Sequence, residues 1–399
     1  MKKLLFGLWI VLFVSCQDVQ ETDSLVKNIV LDLNTDQELR LSEITDTVEF
    51  IPLEQTYDSD IAQVERFIPY KGHYYVLNTV GFNNGRLLVF DNDGNFVRKV
   101  DKRGGGPGEY VDLQDIAIDF KNDELVFMTQ PKGFYRYDLE GNFISSARGG
   151  YGLNIAVDSQ GNYYKKMIGV YEGQMNGLLM VNDKDSITFS KVAPERRVMV
   201  HHYSFANEFE SHNGRVYHSY SCCDSIFEVT GGKKTPFLYI DYNGRNLPLD
   251  KIFAEDRSLS ESMKIERNYP DCFRMHGYRI TDNFLYVASM DGEDHGFISL
   301  YSFKTGKVLS AHRLIDDVFF PDNTFRFRPF RMPIAVEGNC LLCLVNPSWL
   351  LRGYEFFRKN LSAEQWETYC KRHPQVVEVC QKLDEESNPV LLKMKIKDF

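Results

Sequence analysis

The sequence predicts an all-β fold, a closed six-bladed β-propeller with short helical insertions, in which an N-terminal strand closes the ring. Aromatic residues make up 14% of the 399 residues, a composition that favours strands. Similar short hairpins recur along the chain, and a spare strand-like segment precedes the first of them. Together these observations indicate one large β domain over residues 29–399.

The residues before this domain have the pattern of an export signal. A pair of lysines leads into an apolar run over 4–14, which is too short to span a bilayer and is typical of a signal-peptide core. A small residue then directly precedes Cys16, as in the lipobox of bacterial lipoproteins. We predict a signal peptide over 1–15 and a lipidated Cys16 with a polar tether over 16–28. An ordinary signal peptide with an incidental cysteine is the alternative.

The formal net charge of −10 limits the possible partners. An acidic chain is poorly suited to bind nucleic acid through its overall charge, so we predict no nucleic-acid partner. The predicted contact with the membrane is the lipid anchor, which places the protein in the cell envelope, on the periplasmic or surface face of the outer membrane.

The recurring hairpins set the length of the repeat. The segment FDNDGNFVRKV (90–100) is echoed by YDLEGNFISSA (137–147), and LQDIAIDFKNDELVF (113–127) is echoed by GLNIAVDSQGNYYKK (152–166). Each contains a short apolar strand, a turn of Asp, Asn and Gly, and a second strand. A repeat of about 40–50 residues that holds four such strands is typical of a propeller blade.

This template divides the chain into six blades. The predicted strands of blade 1 are 62–68, 74–78, 86–90 and 96–100, and blades 2 to 5 cover 113–148, 152–193, 204–242 and 275–315. Blade 6 contains 332–346 and, after an insertion, 388–397. It lacks an outer strand of its own, so we predict that segment 46–54 pairs with 390–397 and closes the ring.

Two segments break the strand pattern. Residues 248–270 indicate helix and loop between blades 4 and 5. Residues 361–383 indicate two short helices: Ser362 and Gln365 have the spacing of a capping box, and Pro374 suits a first helical position.

The lipobox, the segment VEFIPLE (48–54), the DGNF hairpins, GGPGEY (105–110) and the closing NPVLLKMKIK (388–397) together resemble the six-bladed β-propeller lipoproteins of Gram-negative bacteria. That family is related in shape to NHL and TolB-like propellers. The resemblance covers nearly the whole mature chain and implies the fold and an envelope location, but it implies no particular activity.

The glycine-rich stretch RGGGPGEY (103–110) is a candidate ligand loop. It matches neither the dinucleotide fingerprint GxGxxG nor the phosphate-binding P-loop, so it indicates no nucleotide cofactor. Pro107 and Gly108 suit the central positions of a type II turn that joins two blades. Because such loops lie on the face where propellers commonly bind ligands, we predict that Glu109 and Tyr110 contact a ligand.

No other motif predicts a metal or a cofactor. DNDGN (91–95) lacks the glycine and glutamate of an EF-hand loop and, like DGEDH (291–295), is typical of a hairpin turn. Four histidines within 201–218 lack a ligand spacing. Cys340 and Cys343 lie three apart in a predicted strand and therefore face opposite ways, so we interpret the cysteines as structural.

The segment FRFRPFRMP (325–333) most resembles a recognition surface. Arg326, Arg328 and Arg331 alternate with phenylalanines just before the inner strand of blade 6. Arginine binds carboxylate and phosphate groups bidentately, so we predict that these three residues bind a ligand at the channel mouth. In the alternative, the phenylalanines pack inward and the arginines pair with carboxylates of the protein itself.

No catalytic motif is present, and the sequence therefore predicts a non-enzymatic, lipid-anchored propeller that binds a carbohydrate, a peptide or a protein partner. The alternative is a propeller enzyme, such as a metal-dependent lactonase, a lyase or a glycosidase-like hydrolase, that acts at the channel mouth. Such an enzyme needs carboxylates, histidines or arginines that converge there from several blades.

Overall fold

The computed structural model describes residues 26–81, 84–130, 133–148, 152, 154–171, 174–182, 188–194, 208–219, 223–252, 265, 267–320 and 333–399. The predicted signal peptide, the predicted lipidation site Cys16 and the predicted ligand residues Arg326, Arg328 and Arg331 lie outside these ranges. No helix in the described ranges is long and apolar enough to cross a membrane.

The N-terminal part of the domain contains three short strands and one helical turn. They are β1 (Lys27–Val30), β2 (Glu38–Arg40), α1 (Leu41–Ile44) and β3 (Thr45–Pro52). None of these strands pairs with another of the three, because each contributes to a different sheet farther along the chain.

Most of the remaining strands form a propeller arrangement of five blades. Each blade is an antiparallel sheet of four strands that follow one another in the chain. Blade 1 contains β4 (Gln63–Tyr70), β5 (His73–Thr79), β6 (Gly85–Asp91) and β7 (Phe96–Val100). Blade 2 contains β8 (Asp112–Asp119), β9 (Glu124–Gln130), β10 (Gly133–Asp138) and β11 (Phe143–Arg148).

The next three blades repeat this order. Blade 3 contains β12 (Ile155–Val157), β13 (Tyr163–Tyr171), β14 (Gln174–Asn182) and β15 (Thr188–Pro194). Blade 4 contains β16 (Phe209–His212), β17 (Arg215–His218), β18 (Ser225–Thr230) and β19 (Lys233–Asp241), and β1 adds to it in parallel beside β19. Blade 5 contains β20 (Phe273–Ile280), β21 (Phe284–Asp291), β22 (Gly296–Ser302) and β23 (Val308–Ala311). The predicted all-β propeller arrangement is thus confirmed with five blades.

One further four-stranded sheet combines strands from both ends of the domain. Its order is β25 (Ala335–Glu337), β26 (Cys340–Val345), β27 (Val390–Ile396) and β3. Leu391 lies opposite Ile51 in the antiparallel pairing of β27 with β3. The short strand β24 (Arg313–Ile315) pairs in parallel with β2, so the segment from β1 to β3 joins three separate sheets.

Helices follow β26. They are α3 (Pro347–Asn360), α4 (Ala363–Arg372) and α5 (Pro374–Lys382), and a single turn, α2 (Leu249–Ile252), lies earlier in the chain. The predicted capping box is confirmed: the Gln365 amide donates to Ser362 Oγ at 3.2 Å, and the Ser362 amide donates to Gln365 Oε1 at 2.9 Å. Pro374 begins α5 as predicted.

Helix α3 was not predicted from the sequence, although its signals are local. Asn346 accepts a hydrogen bond from the Ser348 amide at 2.9 Å, and Pro347 fills the first helical position. Tyr354 and Phe357 are buried and anchor this helix to the sheet. Gly353 allows the contact, because a Cβ there would lie 2.6 Å from the Phe320 ring.

A repeated aspartate turn supports the hairpins. In DNDGN, Asp91 Oδ1 accepts the Asp93 and Asn95 amides at 3.0 and 2.8 Å, and the Asn95 side chain donates to Oδ2 at 2.9 Å. The same contacts recur at Asp138 and Asp158. At Asp291 the two amide contacts also recur, and His295 Nδ1 takes the place of the asparagine side chain. Each of these carboxylates accepts hydrogen bonds from its own turn, which explains why aspartate recurs at this position.

Hydrophobic clusters fill the space between neighbouring sheets. Tyr75 and Leu87 of blade 1 are buried against Ile118 and Phe127 of blade 2. Such face-to-face packing fixes each blade against the next. It thereby holds the first strands, which line the channel, at defined positions.

Candidate functional site

The predicted loop residues Glu109 and Tyr110 have structural contacts. Tyr110 is only 1% exposed and packs edge-on against Phe127 at 5.9 Å. Burial raises its pKa to about 12. The half-buried Glu109 accepts the Gly106 amide at 2.8 Å. The expectation that Tyr110 contacts a ligand is corrected, because its aromatic ring belongs to the core between blades 1 and 2.

The predicted turn in the same loop is confirmed. The Glu109 amide donates to the Gly106 carbonyl at 3.1 Å, which is the hydrogen bond that closes a four-residue turn. Gly108 has φ of +75°, as the third position of a type II turn requires. The stretch therefore bends the chain from β7 to β8, as the sequence indicates.

The histidine and cysteine predictions also have structural outcomes. The His212 side chain is mostly buried, with Nε2 3.0 Å from Asp282 Oδ1, and His218 is buried in blade 4. His201 and His202 lie outside the described residues. In the described ranges, the cysteines carry no disulfide and no group of potential metal ligands converges.

A depression of about 570 Å³ opens at one end of the central channel. It lies where the first strands of five sheets end in hairpins. Its rim includes Lys71, Lys121, Ser159, Asn213 and Glu337. Hairpin ends from separate sheets converge there, whereas the predicted residues Glu109 and Tyr110 lie on a blade-to-blade loop and do not line the depression.

The depression continues inward into a narrower cavity of about 90 Å³. Pro69, Phe120, Ser211 and Val336 line both spaces, so the two form one funnel. Phe120 packs edge-on against Tyr70 at 5.2 Å near the rim. Apolar side chains, among them Ile68, line the deeper walls together with Arg66, Glu210 and Ser211. Apolar side chains combined with a few placed polar groups are the usual lining of a small-molecule site.

Charged residues form the floor of this funnel. On one side, Arg66 lines the cavity and forms a bidentate ion pair with Asp115 of blade 2, with Nε 2.8 Å from Oδ1. Asp115 also accepts the Ile116 and Ile155 amides at 2.9 and 2.8 Å. This carboxylate therefore joins blades 1, 2 and 3 and has little remaining capacity to accept a ligand.

Glu210 of blade 4 lines the other side of the floor, with 9% of its side chain exposed. Arg279 lies behind it, with Nη1 3.5 Å from Glu210 Oε2. Burial raises the pKa of Glu210 to about 7, although Arg279 and Arg66 oppose this shift. Arg279 itself donates to the carbonyls of Tyr278 and Ile334, at 2.7 and 3.2 Å.

Irregularities in the first strands help to direct these side chains. The register of β4 shifts between Val64 and Arg66, and that of β8 shifts between Leu113 and Asp115. A comparable shift in β20 follows Met275. A β-bulge re-aims the residues beside it and commonly occurs next to functional sites. In blades 1 and 2 the bulge directly precedes the residue of the floor ion pair.

A second buried cluster lies behind the floor. Glu208 of blade 4 forms an ion pair with Lys166 of blade 3, and His218 Nε2 lies 3.4 Å from Glu208 Oε2. All three side chains are almost completely buried. Burial raises the pKa of Glu208, and the charge of Lys166 opposes that shift. This cluster joins blades 3 and 4 and supports the strand that carries Glu210.

The floor residues were not predicted from the sequence, although the repeats contain a signal for one of them. The alignment of LQDIAID with GLNIAVD places Asp115 and Asn154 at the same position of successive inner strands. A polar residue within an otherwise apolar inner strand faces either the channel or an ion partner. Glu210 and Arg279 lie in strands outside those repeats, so their convergence was not readable.

A family model described as "Domain of unknown function (DUF4934)" matches residues 26–395. Among proteins with curated functions, none matches the chain. A solved Bacteroides fragilis protein, described as exported, has a TM-score of 0.65 and 15% identity, over 93% of this chain and 99% of that chain. This likeness is to the fold.

Two more distant structures are also similar. A DUF4221 family member from Bacteroides vulgatus has a TM-score of 0.47 and 10% identity, over 89% of this chain and 98% of its own. The extracellular domain of a hybrid two-component system of B. thetaiotaomicron has a TM-score of 0.36 and 11% identity, over 73% of this chain and 37% of its own.

Proposed function

The chain belongs to the DUF4934 family, and we propose that it is a non-enzymatic, lipid-anchored propeller that binds a ligand through the central funnel. The observation that carries this proposal is the continuity of an open depression of about 570 Å³ with a cavity of about 90 Å³. Rigid strands from several sheets supply the lining, so the site is largely preformed and loses little conformational entropy on binding.

The proposal includes a sixth blade. The sheet that contains β25, β26, β27 and β3 has the four antiparallel strands of a blade, and it supplies Ile334, Ala335 and Val336 to the funnel lining. Under this proposal β3 closes the ring and satisfies the edge of β27. Deletion of 46–54 is then expected to lower the melting temperature strongly, and unchanged melting would contradict closure.

A lipid anchor at Cys16 and an envelope location are also proposed. The support is the lipobox pattern at Cys16 and the description of the Bacteroides fragilis relative in fold as exported. The Cys16→Ala variant is expected to leave the membrane fraction. Equal membrane partitioning of the variant and the wild type would contradict the anchor.

The ligand class proposed from the sequence remains a carbohydrate, a peptide or a protein segment. Arg326, Arg328 and Arg331 remain proposed contacts for it, because they lie just before the sheet that supplies Ile334 and Val336 to the funnel.

An occluded funnel tests the binding proposal. Ser211 is exposed and lines both the depression and the cavity, so the Ser211→Trp variant should fill the passage. The matched control is Ser146→Trp, at an exposed position of the outer strand β11. Thermal-shift screening with neutral and charged sugars and peptides should find a stabilising ligand for the wild type and the control, but not for Ser211→Trp. A ligand that stabilises all three proteins equally would bind elsewhere and overturn the proposal.

The alternative of an enzyme has one supporting observation. The Glu210 carboxyl, whose pKa is raised to about 7, lies at the cavity floor in the range that suits a general acid or base. Hydrolysis of chromogenic glycosides or lactones by the wild type, and its loss in Glu210→Gln, would favour this alternative over the binding module.

A further inference from the structure

The class of ligand can be inferred from the funnel floor, an inference that rests on the proposed binding function. Glu210 is the informative residue there. Its side chain is more than nine-tenths buried yet lines the cavity. Among the described residues its carboxylate has an ionic contact at 3.5 Å, to Arg279, which is longer than a normal hydrogen bond. A buried carboxylate gains from a donor that approaches closely, and a ligand in the cavity can supply one.

The charges around Glu210 restrict that donor. Arg279 lies behind it and Arg66 faces it from blade 1, while the charge of Arg66 is already compensated by Asp115. The Arg66 and Arg279 guanidinium groups and the Asp115 and Glu210 carboxylates together leave the floor with no net charge. Neither a cationic nor an anionic ligand group therefore gains a net attraction that offsets its loss of hydration. The floor therefore favours an uncharged group.

The walls and rim add a second restriction. Phe120, Ile68 and Val336 offer an apolar surface to the flat side of a ring. Ser159, Ser211 and Asn213 are exposed around the depression and carry hydroxyl or amide groups. A ligand that matches all of these groups has hydroxyls along its edge and apolar C–H groups on its face.

We propose that the funnel binds the terminal unit of a neutral sugar, with a hydroxyl group that donates to the Glu210 carboxylate, and that Glu210 makes the site reject charged sugars. Glu210 acts here as a specificity residue. The apolar wall packs against the ring face, and the rim groups hydrogen-bond the outer hydroxyls.

The test uses sugars that differ only at carbon 6. Glucose, galactose and mannose are each compared with their 6-carboxylate and their 6-amino-6-deoxy derivative, at about pH 8 so that Glu210 is ionised. Binding to the full-length chain is measured by ligand-observed nuclear magnetic resonance and by calorimetry. We expect at least one neutral member to bind tenfold or more tightly than both of its charged partners.

Two glutamine variants show whether Glu210 sets this preference. Glu210→Gln leaves the floor with excess positive charge. The ratio of the affinity for the neutral sugar to the affinity for its 6-carboxylate should therefore fall tenfold or more. Glu124→Gln is the matched control, because Glu124 of blade 2 lies outside the funnel lining, is 13% exposed and accepts a hydrogen bond from Arg136 Nε at 2.6 Å. The control should keep the wild-type preference, and melting curves verify that both variants fold.

The outcomes separate this inference from the binding function itself. If a charged member binds most tightly, or if both glutamine variants shift the preference equally, the proposed class and the role of Glu210 are overturned although the funnel still binds. If none of the sugars binds, the sugar class is overturned. The broader ligand screen with Ser211→Trp then decides separately whether the funnel binds anything.

Discussion

The two halves of the funnel floor each contain one arginine and one carboxylate, but only one half is saturated with protein contacts. Asp115 accepts two backbone amides in addition to its bidentate contact with Arg66. In the other half, Glu210 Oε2 lies 3.5 Å from Arg279 Nη1, a longer contact than those of Asp115. The difference indicates separate roles: the Asp115 half holds three blades together, and the Glu210 half remains able to bind a ligand.

The largest expected effect comes from breaking the saturated half. Asp115→Asn leaves the buried Arg66 guanidinium without its counter-charge, and loss of one partner of a buried ion pair costs about 3–5 kcal/mol. We expect the free energy of unfolding, measured in urea, to fall by about that amount. Asp123→Asn is the control, since Asp123 pairs with Lys71 at the exposed surface. Equal losses in both variants would contradict the assigned structural role of Asp115.

An intermediate effect is expected in the Glu210 half of the floor, whose contribution to the free energy of unfolding depends on pH. The pKa of Glu210 is raised by burial from 4.5 to about 7, so the folded state holds the proton more tightly than the unfolded state. The contribution of protonated Glu210 to the free energy of unfolding is therefore complete below pH 4.5 and is lost as pH rises to about 7. The loss is about 3 kcal/mol.

The comparison of Glu210→Gln with the wild type isolates this contribution. Burial also raises the pKa of Asp224 to about 7 and that of Asp316 to about 6, but these groups remain in both proteins. We expect the variant to become more stable than the wild type as pH rises through this range. Parallel stability curves for the two proteins would mean that Glu210 is not desolvated.

The smallest loss of stability is expected at Asp138, a carboxylate at the surface that, like Asp115, accepts several hydrogen bonds. Asp138 accepts two backbone amides and the Asn142 side chain. Asn142→Ala removes only the last of these contacts, and a net hydrogen bond contributes about 1 kcal/mol. A decrease of this size in the free energy of unfolding is expected from urea titration. A loss as large as that of Asp115→Asn would show that the number of hydrogen bonds to a carboxylate, and not its burial, determines how much stability is lost when a partner is removed.

Sequence periodicity predicted the parts of the fold that depend on local patterns. The strands of blade 1, the capping box at Ser362 and the turn at Gly108 each follow from residues close together in the chain. The parallel additions of β1 and β2 were not predicted, because parallel pairing between distant segments has no local turn to mark it.

The candidate site was less predictable for the same physical reason. Tyr110 and Glu109 attracted attention because they follow a conspicuous glycine run, but their contacts are internal. Glu210 and Arg279 are separated in sequence and meet only because two blades pack side by side. Their strands contain no motif, so only the assembled channel brings them together.

A crystal structure of the chain soaked with the tightest-binding neutral sugar tests the central claim most directly. We predict density for one sugar unit in the cavity between Phe120 and Val336, with a hydroxyl oxygen within hydrogen-bonding distance of the Glu210 carboxylate. Sugar density confined to another surface, with no sugar in the funnel at a saturating concentration, would contradict the account.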